Sequence, residues 1–118
     1  MTGKSSSSGP LQTFKAEFFK ALAHPIRIRI LEVLIHGECS VQHLQAALRL
    51  EQPIVSQHLA MLRAKNIVKA RKEGTTVWYT VRVPLIAELL ALARRVFDSQ
   101  LNHSQTMLKE LRREQRHR

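Results

Sequence analysis

The sequence changes period abruptly after residue 66, and that change constrains the fold more than any other feature. Through QPIVSQHLAMLRAKN, residues 52–66, the apolar positions Val55, Leu59 and Leu62 recur at helical spacing and form one stripe. Pro53 falls in the first turn, where a missing N–H costs nothing, and Asn66 tolerates the left-handed conformation that ends a helix. Immediately afterwards the runs IVKARK and TTVWYTV are rich in β-formers and flank Glu73-Gly74, the pattern of a hairpin. One helix is therefore handed directly to a two-stranded ribbon.

The segments before and after supply the frame. LQTFKAEFFKALA places Leu11, Phe14, Phe18, Leu22 and Ala23 on one helical face. HPIRIRILEVLIHG carries two signals: Ile26, Ile28 and Ile30 alternate as in a strand, while Leu31, Leu34 and Ile35 continue at helical spacing. Pro25 suits a first helical turn and Gly37 the position just past a helix end, so a helix is expected. A short helix should follow, with Ser40 as its N-cap and Val41, Leu44, Ala47 and Leu48 facing inward. From Pro84 to Arg118 no further Pro or Gly intervenes. One long helix is expected there, with Ile86, Leu89, Leu90, Ala93, Val96, Phe97, Leu101, Leu108 and Leu111 apolar. The first ten residues, MTGKSSSSGP, are polar and low in complexity and read as a disordered tail, which leaves one domain over residues 11–118. The order helix, helix, short helix, turn, helix, hairpin, helix is mainly α with a small β-hairpin wing. It is the order of a winged helix-turn-helix.

Charge narrows the function. The 118 residues hold 19 Lys+Arg against 9 Asp+Glu, a formal charge of +10, which favours a polyanionic partner. No apolar run approaches the roughly 18 residues of a membrane span, and a single cysteine fits a reducing cytoplasm. No Gly-rich phosphate loop, HExxH motif or nucleophile beside a base is present, so an enzyme is not expected.

A helix whose inner stripe is Val55, Leu59 and Leu62 must present Pro53, Ser56, Gln57 and Ala60 outward, at about 100° per residue. That face carries no acid and can enter a major groove about 12 Å wide, where Gln57 can pair bidentately with an adenine edge. Arg63, Lys65, Lys69, Arg71 and Lys72 follow without an intervening acid. They read as a phosphate-facing strip running up the wing, with Thr75 and Thr76 adding hydroxyls at its tip. Trp78 and Tyr79 should point to opposite faces of their strand.

LAHPIRIRILEVL, VSQHLAMLRAKNIVKARKEG and the Tyr79 that follows resemble the ArsR/SmtB family of bacterial transcriptional regulators. The resemblance runs from about Phe14 to Tyr79. It implies a DNA-binding repressor released by an inducer, often a metal, with Gln52, Pro53, Ser56 and Gln57 at the groove-reading positions. Pro53 departs from the small polar residue usual there. The resemblance also implies a homodimer pairing through the first and last helices, here Leu11, Phe14, Phe18, Leu89, Leu90, Ala93, Val96, Phe97 and Leu101. The last helix agrees independently, because its leucines outrun what a domain this small can bury. Two copies would place two reading helices about one DNA turn apart on an operator of inverted half-sites. A nonspecific architectural nucleic-acid-binding protein is the alternative that charge alone would allow.

Metal sensing is the remaining expectation. The family's Cys-Val-Cys is replaced by Ser40-Val41-Gln42, with Cys39 one residue early. Its second site falls on Val83, Leu85, Val96 and Ser99, none of which can ligate. His103, Glu110, Glu114 and His117 lie within about 60° on one helical face and form a candidate site for Zn, Ni or Co. His36, Glu38, Cys39 and His43 in HGECSVQHL are a second, weaker donor set, and Cys39 reads either as a redox thiol or as a small buried hydrophobe.

Overall fold

The computed structural model describes residues 9–116. The winged helix-turn-helix architecture is present, in two compact units that divide after Pro84. The first contains α1 (Pro10–Leu22), α2 (Pro25–Leu34), β1 (Cys39–Ser40), α3 (Val41–Leu48), α4 (Gln52–Ala64), β2 (Val68–Glu73) and β3 (Thr76–Val81); the second is α5 (Leu85–Arg116). Residues 1–8 of the expected tail lie outside the described residues. Gly9 and Pro10 do not belong to a tail: Gly9 is the N-cap of α1, its N–H donates to Gln12 Oε1 at 3.2 Å, and Pro10 opens the first turn.

The ambiguous isoleucine run is helical. His24 caps α2 by accepting the Ile26 N–H on Nδ1 at 3.1 Å, and Pro25 follows in the first turn. Ile30, Leu31 and Leu34 then fall on one buried face. Gly37 has φ +149°, a conformation that side chains rarely adopt, and it releases the chain from the helix. Ser40 caps α3, its Oγ accepting the His43 N–H at 3.1 Å. Leu44 and Leu48 are buried, whereas Ala47 is exposed rather than inward. Arg29 closes the other end of α3 by donating from Nη2 to the Leu48 carbonyl at 3.0 Å. In α1 the buried residues are Ala21 and Leu22; Ala23, expected on that face, is exposed.

Val55, Leu59 and Leu62 are fully buried, so α4 is anchored by the stripe that its sequence announces. Asn66 takes the left-handed conformation, φ +60°, and turns the chain into β2. The hairpin pairs Val68 with Val81 through Glu73 with Thr76, leaving Gly74 and Thr75 as a two-residue loop. Gly74 has φ +62° at the first central position, as a type II′ turn requires. The sheet has three strands, not the two of the expected hairpin: β1 pairs antiparallel with β3, Cys39 opposite Tyr79 and Ser40 opposite Trp78, in the order β1-β3-β2. Trp78 and Tyr79 occupy opposite faces of β3, as expected from alternation, and both are half-buried.

The second unit is a single helix of 32 residues, about 48 Å at 1.5 Å per residue. Ile86 is its one buried residue among those described; Leu89, Leu90 and Ala93 are half-buried, and Val96, Phe97, Leu101, Leu108 and Leu111 are exposed. Among the described residues no helix is long and apolar enough to cross a membrane.

Candidate nucleic-acid interface

The reading surface is built on α4. Its buried stripe fixes the roll of the helix, and at about 100° per residue Gln57 then falls at the centre of the opposite face. Gln57, Pro53, Ala60 and Gln52 are exposed, and Ser56 is half-buried. Gln52 Nε2 donates to Ser56 Oγ at 2.8 Å across one helical turn. This bond leaves the Gln52 carbonyl as an acceptor and the Ser56 hydroxyl proton as a donor, side by side at one edge of the face. The Gln57 amide has no hydrogen-bond partner among the described residues, so both of its functions remain available to a base edge. The face is less polar than the sequence reading holds. Ile54 and Met61, 37% and 44% exposed, share it with Gln57. Each lies one position from the stripe in sequence but about 100° round the helix, which a helical projection of the same residues would reveal.

The basic residues do not form one strip. Lys69 and Arg71 alternate onto one face of β2 and Lys72 onto the other, because strand side chains switch sides at every residue. Lys72 shares its face with Val68 and Ala70, beyond the point where that face is buried. Lys65 is held by Glu17 of α1 at 3.5 Å, an exposed pair worth about 1 kcal/mol at most. Arg71 is more firmly engaged: Nη2 and Nε donate to the two Glu38 carboxylate oxygens at 2.7 and 3.1 Å, and Nη1 donates to Glu73. These partners hold the Glu38 carboxyl below its usual range and push the Arg71 guanidinium up, so the group stays ionised. Arg71, expected in the phosphate-facing strip, is thus one member of an ion-pair cluster in the free chain. Arg63, Lys69 and Lys72 are exposed and form no ion pair among the described residues. Thr75 is exposed at the wing tip and Thr76 half-buried beside it.

The candidate metal donors do not cluster within one chain among the described residues. Same-face placement is not proximity: seven residues separate His103 from Glu110, about 10 Å along the helix axis, several times a metal–ligand bond. No group of three or more His, Cys, Asp or Glu able to hold an ion occurs among the described residues, and His117 lies outside them. Glu38 of the HGECSVQHL set is bound to Arg71. Cys39 is 5% exposed, its thiol proton directed at the Gly37 carbonyl at 3.5 Å, and burial pushes the thiol pKa up. It is a small buried hydrophobe, not an activated thiol.

A helix backed by a buried stripe, presenting an acid-free outer face and leading directly into a hairpin, defines a winged helix-turn-helix reader of DNA. The profile of the bacterial regulatory protein arsR family matches residues 24–70, from the His24 cap to the middle of β2. The chain is similar to the uncharacterized HTH-type transcriptional regulator Rv0081 of Mycobacterium tuberculosis, 46% identical over 106 residues that span 89% of this chain and 93% of that protein. The crystal structure of Rv0081 matches with a TM-score of 0.75 and 47% identity over 81% of this chain and 97% of that one. The transcriptional activator HlyU of Vibrio cholerae is 40% identical over 78 residues, 66% of this chain and 72% of its own. A solution structure of the homodimeric winged helix-turn-helix DNA-binding domain Mb0332 of Mycobacterium bovis matches with a TM-score of 0.73 and 34% identity, over 87% of this chain and 95% of that one. This chain belongs to the arsR family of bacterial regulatory proteins. It is a DNA-binding transcriptional regulator and not an enzyme.

Proposed function

We propose that the protein is a homodimeric, sequence-specific repressor in the cytoplasm, which binds an operator of inverted half-sites with one α4 in each major groove. The observation that carries this reading is the outer face of α4, rigidly backed by Val55, Leu59 and Leu62 and centred on an unengaged Gln57. Gln57 is assigned to base pairing, and the Gln52–Ser56 pair to a neighbouring base or phosphate. Ile54 and Met61 are suited to thymine methyl groups. Arg63, Lys69 and Lys72 neutralise phosphates, and Thr75 adds a hydroxyl at the wing tip.

Exposed apolar surface supports the second copy. Leu11 and Phe14 of α1 are 59% and 72% exposed, and Phe97 and Leu101 of α5 are 59% and 60% exposed. Patches of that kind mark a protein interface rather than a solvated surface. The Mb0332 domain is itself homodimeric, which supports the same assembly here. Repression follows from occupancy, because a dimer seated over a promoter excludes polymerase.

Selection of bound fragments from a random duplex library tests this reading. The wild type should recover one inverted motif at least about 10³-fold above random DNA, and Gln57→Ala should lose discrimination at one base position of each half-site. Recovery without a motif would assign the protein to nonspecific, architectural binding. A promoter reporter carrying the motif should fall in expression when the protein is supplied; a rise would make it an activator.

A further inference from the structure

We propose that Arg71 is a positioning residue: with Glu38 it latches the wing to the segment between α2 and α3, fixing the angle at which Lys69 and Lys72 meet DNA. The geometry is a fork-to-fork pair, two N–H groups of one guanidinium on two oxygens of one carboxylate, 33 residues apart in sequence. Glu38 immediately precedes β1, and Arg71 lies on β2. In the sheet order β1-β3-β2 these are the outer strands, about 10 Å apart at normal strand spacing. The ion pair therefore spans the central strand, on the face where Ser40, Trp78 and Arg71 stand in register.

The latch supplements a short attachment. β1 contributes only the pairs Cys39–Tyr79 and Ser40–Trp78, so the backbone ladder joining the hairpin to the α2–α3 segment is two residues long. Bidentate geometry restrains the direction of the pair as well as its distance, as a single lysine contact would not.

Charge decides against a direct phosphate role. Arg71 contributes +1 and its two partners, Glu38 and Glu73, contribute −2, so the local sum is −1. A phosphate approaching this cluster meets a negative site. Lys69, on the same face of β2, carries the free positive charge.

The two roles predict opposite signs for one substitution. If Arg71 is a latch, Glu38→Gln loosens the wing and weakens operator binding by up to about fivefold, the factor that coupling in an exposed ion pair allows. If Arg71 contacted phosphate, Glu38→Gln would free the guanidinium, remove an acid and tighten binding. Arg71→Ala should weaken binding about as much as Glu38→Gln, and the double variant no more than either. The dependence of log K on log salt should keep its wild-type slope in all three. Tighter binding by Glu38→Gln, or a slope about one unit shallower in Arg71→Ala, overturns the proposal.

This use of DNA affinity rests on the reading of the protein as an operator-binding dimer, so a measurement without DNA completes the test. Amide hydrogen exchange in free, full-length protein should quicken across residues 68–81 in both single variants, with α2–α4 unchanged. Unchanged wing exchange would refute the latch whatever the protein binds.

Discussion

Helices α4 and α5 are both amphipathic, yet their stripes meet opposite fates. In α4, Val55, Leu59 and Leu62 are fully buried within the first unit, and this fixes which side faces outward. In α5 the stripe continues for 32 residues, and Phe97 and Leu101 remain about 60% exposed. The first helix is a finished element whose free face is polar enough to read DNA. The second is unfinished within one chain, and the proposed second copy is what would cover it. Periodicity says that a helix has a face to bury; chain length and core size say whether the same chain can bury it.

The largest expected effect breaks the finished side of this comparison. Leu59→Ala removes a fully buried side chain from the stripe and should cost about 2–5 kcal/mol in urea unfolding, with DNA binding lost alongside. A cost below about 1 kcal/mol would show that α4 is not locked to the core. The next breaks the unfinished side. Phe97→Asp combined with Leu101→Asp should halve the mass seen in sedimentation and weaken operator binding by about 10²-fold or more, since each half-site is then bound alone. Unchanged mass would leave the exposed stripe without its proposed role.

Two smaller effects sharpen the picture on the winged unit. Lys69→Ala should reduce the salt slope by about one unit, in contrast to the unchanged slope expected when Arg71 is removed. The least effect concerns His58 of α4, whose ring lies tilted against that of His24 with 4.3 Å between centroids. Burial first, and then the nearby His24 and Arg27, lower its pKa below the ordinary 6.5. The folded state thus favours neutral His58, and the unfolded chain takes up the proton first as pH falls. Stability should decline from about pH 6.5 down through the folded pKa and level off below it, and His58→Gln should flatten that decline in denaturant midpoints. A midpoint that rises on acidification would contradict the sign.

Most of the fold was legible because it rests on local signals. The α4 stripe, Pro25, Pro53, the Ser40 cap and Asn66 each announce an element or its end, and each stands where expected, while the hairpin turn falls at Gly74-Thr75, one residue later than Glu73-Gly74. What escaped has no local signal. β1 is two residues long, too short for alternation, and exists only because β3 arrives beside it. Arg49 ends α3 with φ +57° at a position where neither Gly nor Asn marks a turn. The Glu38–Arg71 pair joins positions 33 residues apart, so a run of basic residues in sequence looked like one strip when the pleat and a distant carboxylate divide it. The candidate metal face shows the converse, because angular agreement says nothing of distance: His103 and Glu110 share a face but lie about 10 Å apart along the axis.

In the proposed dimer, two α4 helices read two half-sites together. Titrating the purified protein onto its selected operator, and repeating with the half-sites moved apart or together, tests it most directly. Two chains should bind per duplex, most tightly at about 10–11 bp centre to centre, with affinity collapsing when half a turn is inserted. Chains that bind each half-site singly, with affinity indifferent to the spacing, would contradict it.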